Sequence, residues 1–488
     1  MKKRTIAITT LIVAQFMDLV DTTITNVALP SIKKDLHATD AHLEWIMAGY
    51  LLAFAVLLIT GGRLGDIYGR RTVFLIGVAG FGATSLWASA ADTGQLLVAA
   101  RVVQGAFAGV MVPQVLSSVQ VMYEPAERGK IYGLIGAISA LGSVVGLIAG
   151  GWMVGADLFG LGWRIVFLVN VPVCLLLLAL AGFFVPNSRS EDPLKLDLLG
   201  VVLAASGVFL IEFPLIDGRM ADWAPWIWGM LAAAPVMVIA FILQQRAKTR
   251  RDGSALLPLK LFSDHGFSSG LVVQILFWMA NGGYMIALGY YLQIALGFSP
   301  LATGLTIFAM TVGSLLVTPA GAPLAKKFGK YVIFAGGLIQ AAAFVWAIWA
   351  VHDQGKDLSG WDLAPALGLS GAGMVLLIVP LLDEALRSVP PASAGAASGV
   401  FTTFQQVGYS MGVAVAGVVF FNTAGDRPTF GTYNDAVTYG LWVTVAAFAL
   451  SGLCALFMPK LRPHTDPATA GAQGRGQGQG AEAVASGR

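Results

Sequence analysis

Charge is what this chain has least of. Only 12% of its 488 residues are Asp, Glu, Lys or Arg, whereas 56% are hydrophobic and the mean hydropathy is +0.74. Soluble domains carry about 25% charged residues, and a soluble core cannot bury this much apolar surface. The net charge of +3, with no concentrated basic patch, excludes a nucleic-acid partner. Two cysteines, Cys174 and Cys454, both within apolar runs, exclude a disulfide framework and a thiolate metal cluster. His37, His42, His265, His352 and His464 lie in loops or the tail without ligand spacing, so no metal site is expected. There is no GxxxxGK[ST] phosphate loop, which disfavours an ATP-driven machine.

Long apolar runs are what the chain has in quantity. A bilayer core of about 30 Å takes roughly 20 apolar residues per helix. Such runs fall near 6–32, 45–62, 72–91, 95–122, 130–155, 163–186, 198–216, 223–244, 267–296, 301–324, 331–351, 362–383, 396–422 and 436–458. The expected fold is an all-α polytopic membrane protein with 14 transmembrane helices, the seventh and eighth interrupted by Glu212, Pro214 and Pro235. "MKKR" and the run behind it read as an uncleaved first span. An even count puts both termini on one side. That side collects 23 of the 30 basic residues, the other side six, and Arg101 lies within a span. The positive-inside rule then makes both termini cytoplasmic, in a multi-pass protein of the cytoplasmic membrane. Residues 460–488, rich in Gly, Ala and Gln, are expected to be a disordered cytoplasmic tail.

The chain also matches itself. "GGRLGDIYGR" (61–70) aligns with "GAPLAKKFGK" (321–330) at a shift of 260, and "GSVVGLIAGG" (142–151) with "GYSMGVAVAG" (408–417) at 266. Two coincidences at nearly one offset predict duplicated halves: six helices in 1–186, six in 262–459, and an inserted pair in 187–261. Duplicated helical halves place a substrate site near the midplane between them and work by rocking.

Within "QFMDLVDTTITNVALP", Asp18 lies close to the bilayer centre and Asp21 one turn further out. A charge at that depth costs at least about 2.5–3.5 kcal/mol on insertion scales, which makes each carboxylate a functional candidate. Two carboxylates this close cannot both readily ionise, so they could share a proton or exchange it for a cation. Arg101, with Gln104 on the same helical face, is the natural counter-charge. Glu212 is the other ionisable residue deep in a span, but it belongs to the inserted pair. In the ninth span Asn281 and Tyr284, i,i+3 and near mid-span, are candidates for a cavity that takes amphipathic or aromatic compounds, together with Gln104. Tyr290 and Tyr291 read as interfacial anchors, and Gln405 and Gln406 as further polar candidates.

Four stretches resemble the major facilitator superfamily, and within it the fourteen-span drug:proton antiporter family. "GRLGDIYGRR" (62–71) is similar to the signature between spans two and three, and "RVVQG" (101–105) to the fourth-span motif. "VDTTITNVALPSI" (20–32) is similar to the first-span signature, and "WRIVFLVNVP" (163–172) to the start of the sixth span. "GSVVGLIAGG" resembles the antiporter motif through Gly142, Gly146, Gly150 and Gly151, but Leu147 stands where the motif has proline. The resemblance implies a major facilitator fold of two six-helix bundles plus two inserted helices. It also implies proton-coupled export of hydrophobic or cationic small molecules, of the multidrug and antibiotic efflux type, by a monomer in the lipid bilayer without a cofactor. On it Asp21 takes the family's acidic position and Arg101 joins a proton relay. Asp66 becomes a conformational latch in a cytoplasmic loop with Gly62, Gly69, Arg70 and Arg71. The missing proline keeps open a proton symporter that imports a solute. A membrane-embedded sensor or enzyme is the more remote alternative.

Overall fold

The computed structural model describes residues 2–189, 197–218, 221–252, 255–257, 259–387, 389, 394–425 and 428–459. The expected tail, 460–488, lies outside the described residues, as does the side chain of Leu147. Among the described residues every regular element is helical. In chain order they are α1 (Lys2–Asp35), α2 (Asp40–Tyr68), α3 (Arg70–Ser89), α4 (Gly94–Met122), α5 (Pro125–Gly155), α6 (Ile165–Leu168), α7 (Asn170–Phe184) and α8 (Leu198–Asp217). There follow α9 (Pro225–Asp252), α10 (His265–Tyr290), α11 (Pro300–Phe328), α12 (Lys330–Gln354), α13 (Gly360–Arg387), α14 (Ala394–Ala424) and α15 (Phe430–Ala455).

Thirteen helices among the described residues are long and apolar enough to cross a membrane. The run expected near 130–155 has no counterpart among those thirteen, although the 31-residue α5 covers it. The ends follow local chemistry. Thr39, Thr93, Asp264, Ser299 and Thr429 accept hydrogen bonds from backbone N–H groups in the first turns of α2, α4, α10, α11 and α15. Asp197 does the same for Gly200 at the start of α8 and also accepts from Gln244 and Gln245 of α9. Burial pushes its carboxyl up, but these hydrogen bonds outweigh that and hold it below its ordinary value.

Helices α1 to α7 pack chiefly on one another, as do α10 to α15; α2 and α5 meet α14 and α11 across the gap. The pair α8 and α9 leans on this body through α8, which touches α2 and α14. Close crossings occur where glycines remove side chains. A Cβ at Gly146 would sit 1.8 Å from Thr23 Oγ1, while Cβ atoms at Gly142 and Gly150 would press on Phe16 and Leu19 and on Ile24 and Val27. This glycine face of α5 therefore lies on α1. Gly151 points into open space, so only three of the four motif glycines make the crossing.

Tyr291 is not the interfacial anchor its position suggests. A π-helical turn, Tyr291–Ala295, turns the ring inward, where it is buried and its hydroxyl donates to Asn434 Oδ1 at 3.0 Å.

Candidate functional site

Asp21 is 0% exposed, and so is Arg101. Arg101 Nη1 donates to Asp21 Oδ2 at 2.5 Å and to Gln104 Oε1 at 2.6 Å, and its Nε donates to the Ile46 carbonyl at 3.2 Å. The guanidinium lies 4.1 Å from the centre of the Tyr50 ring. The second carboxylate oxygen of Asp21 accepts from Asn170 Nδ2 at 2.5 Å and from Gln104 Nε2 at 3.2 Å. Ser85 Oγ closes the cluster by accepting from Gln104 at 2.9 Å and Asn170 at 3.3 Å. Four helices, α1, α3, α4 and α7, thus aim polar groups at one point inside an apolar bundle. A buried ion pair holds only if its remaining hydrogen-bonding capacity is met, and Asp21 is saturated in this way. Arg101 is not: Nη2 is buried with no partner among the described residues.

Asp18 is on the same helix face but has another partner, the Tyr50 hydroxyl. Since Tyr50 also stacks under Arg101, the two carboxylates are linked through one tyrosine and one arginine rather than sharing a ligand. Gln104, expected to line a substrate cavity, is instead taken into the Asp21 cluster. Tyr50, Ser85 and Asn170 were not singled out from the sequence. Of these only Asn170 left a mark there, as a lone amide within "WRIVFLVNVP".

The stretch expected as a loop is almost entirely helix. Between α2 and α3 there is one residue, Gly69, at φ +96°, and Asp66 and Arg70 are buried on either side of it. Asp66 Oδ1 accepts from Arg70 Nη2 at 2.6 Å. The carboxylate then reaches across to α14, accepting from the backbone N–H groups of Gly395 and Ala396, both at 3.0 Å. An anion at a helix N-terminus is favourable, because the first N–H groups have no intrahelical acceptor. Gly62 lets the helices close: a Cβ there would be 2.0 Å from the Gly395 carbonyl oxygen. Arg71 is peripheral, donating to the Gly182 carbonyl at 3.3 Å from a half-buried position. At the same end Gln120 Nε2 of α4 donates to the Leu386 carbonyl of α13 at 3.1 Å. These bonds join α1–α7 to α10–α15 at one end of the molecule.

Asn281 and Tyr284 are buried in α10. Asn281 Nδ2 donates to the Phe277 carbonyl, and the Tyr284 ring lies 5.1 Å from that of Phe344. Gln274 and Gln405 meet between α10 and α14 at 3.5 Å. Glu212 is 0% exposed; Oε2 accepts from Ser410 of α14 at 2.7 Å, and Oε1 has no partner among the described residues.

A family model described as Major Facilitator Superfamily matches residues 11–198 and again 196–413. The chain is 38% identical over 438 residues to the probable actinorhodin transporter of Streptomyces coelicolor, covering 89% of this chain and 75% of the relative. It is 33% identical over 446 residues to the puromycin resistance protein pur8 of Streptomyces alboniger, covering 89% and 86%. Among solved structures, the human organic anion transporter MFSD10 (TETRAN) superposes with a TM-score of 0.67 at 15% identity, over 93% of this chain and 99% of that one. This last likeness is one of fold.

Proposed function

The chain belongs to the major facilitator superfamily, and from that premise we propose that it is a fourteen-span drug exporter of the cytoplasmic membrane driven by protons. Its cargo would be hydrophobic or amphipathic compounds of the antibiotic kind, as the names of relatives such as the puromycin resistance protein suggest. The observation that carries the proton reading is the Asp21–Arg101 cluster: a carboxylate and a cation without water contact, held by four helices of one half. Protonating Asp21 would cancel its pairing with Arg101 and free a cation with an unused donor, Nη2, to find another acceptor. One proton event would thereby loosen contacts among α1, α3, α4 and α7 together.

Asp66 would act as the gate. With both termini cytoplasmic, the end sealed by Asp66, Gly395 and Gln120 is the cytoplasmic one, and the conformation is closed towards the cytoplasm. Opening it would require the Asp66 carboxylate to leave the N-terminus of α14. Energetically, one proton moving through about 100 mV supplies about 2.3 kcal/mol, and one pH unit supplies about 1.4 kcal/mol more. That sustains a gradient of several hundred-fold for a neutral compound.

The test is drug accumulation in an export-deficient bacterial host. Expression should lower intracellular puromycin, and a protonophore should restore it to the level of the empty host within minutes. Lowered accumulation that persists in the protonophore would remove proton coupling, and unchanged accumulation across a panel of antibiotics would remove export.

A further inference from the structure

A cavity of about 840 Å³ lies between the inserted pair and the body, away from the Asp21 cluster. Its wall is almost wholly apolar: Gly207, Val208 and Ile211 of α8, Phe241 of α9, and Phe404 of α14. Two cations line it as well, Arg246 near the end of α9 and Lys260 in the turn Leu259–Ser263 before α10. Both are exposed, and neither has an ion-pair partner among the described residues. Among the described residues no carboxylate lines the cavity. The volume is within the range of about 300–1,000 Å³ typical of sites that hold a small molecule.

We propose that this cavity is a binding site for one anionic phospholipid, its acyl chains between α8, α9 and α14 and its headgroup on Arg246 and Lys260. The charge pattern selects the headgroup: two unpaired cations at one end of an apolar chamber match a phosphate that carries net negative charge. The location selects a lipid. The outward face of α9 carries exposed Val236, Ile239 and Leu243, so the chamber stands in the acyl-chain layer. The site also has a consequence for transport. Ile59 of α2 and Val400 of α14 line it, beside the crossing where a Cβ on Gly399 would come 2.6 Å from the Leu58 carbonyl oxygen. A bound lipid therefore touches both helices that the Asp66 contact joins.

The experiment compares lipid retention by the full chain, purified in mild detergent from cells grown without drug, delipidated, and offered phosphatidylglycerol or phosphatidylcholine of the same acyl chains. Occupancy is read by native mass spectrometry. Wild type should retain one phosphatidylglycerol at least ten-fold better than phosphatidylcholine. Arg246→Ala with Lys260→Ala should erase that preference while leaving weak binding of both. Gly207→Leu projects an isobutyl group into the chamber, and the backbone accepts it because a Cβ there meets only Val238 at 3.7 Å; it should weaken retention of both lipids. Equal retention of the two lipids by wild type would overturn the proposal, as would a full phosphatidylglycerol complement on Gly207→Leu. Displacement of the lipid, mole for mole, by an added antibiotic would overturn it in favour of a drug site. If Gly207→Leu does not insert, the wild-type and Arg246→Ala/Lys260→Ala comparison decides alone.

Discussion

Arg101 does four things with one guanidinium: it pairs with Asp21, holds Gln104, caps the Ile46 carbonyl and stacks on Tyr50. A lysine keeps the charge but has no planar fork to satisfy these groups at once. Arg101→Lys should therefore cut the initial rate of drug extrusion at least ten-fold, about 1.4 kcal/mol in barrier, with normal membrane insertion. Thr25→Val is the control, because the Thr25 hydroxyl donates to the main-chain oxygen of Asp21 at 2.6 Å and to no side chain among the described residues. A wild-type rate for Arg101→Lys, measured in inverted vesicles and normalised to inserted protein, would show that only charge matters there. Asp21 and Arg101 could be found in the sequence because charge in an apolar run is costly, and Gln104 because it shares a helical face with Arg101. Ser85 and Asn170 could not be assigned, since an uncharged polar residue is cheap in a span. Asn170 lies 149 residues from the carboxylate it serves, a pairing that hydropathy does not encode.

At the scale of the helix, glycines that look alike in the motif differ in what they face. Gly146→Ala would drive a methyl group into Thr23 and should lower the unfolding temperature or the yield, while Gly151→Ala should be neutral in both. Equal effects, read by thermal unfolding in detergent, would contradict the α1–α5 crossing. The opposite end of α1 offers a pH test. Asp35 accepts from Trp163 Nε1 at 2.9 Å and Arg164 Nη1 at 2.5 Å, and these hydrogen bonds hold its carboxyl below the ordinary value. A carboxyl lowered in the folded state adds stability above its unfolded value, and that stability is lost as pH falls through the folded one. Asp35→Asn should thus be less stable than wild type at pH 7, by a small margin because the pair is solvent-screened. The gap should close below about pH 4. A gap that is constant with pH would mean the side chain acts by packing. For Asp66, whose bonds join α2 to α14, Asp66→Asn should reduce turnover more than drug binding. An equal loss of both would make it part of the binding site or of the fold.

For the whole molecule, the apolar runs and the weak charge were enough to anticipate an all-helical membrane protein, because in lipid a chain must satisfy its backbone within each span. The contact between α2 and α14 was less visible. "GRLGDIYGRR" reads as a basic loop, yet Gly69 alone separates two helices, and Asp66 is buried against a helix more than 300 residues away. Such a contact depends on how α2 and α14 pack in three dimensions and has no local signature. The account rests on Asp21 carrying the proton whose movement drives the rest. The direct measurement is uptake of a fluorescent lipophilic cation into proteoliposomes with an imposed pH gradient, wild type against Asp21→Asn. The amide retains the size of the side chain but cannot titrate, so the account predicts gradient-driven accumulation by wild type and none by Asp21→Asn, with equal amounts of inserted protein. Gradient-driven accumulation by Asp21→Asn at the wild-type rate would contradict it.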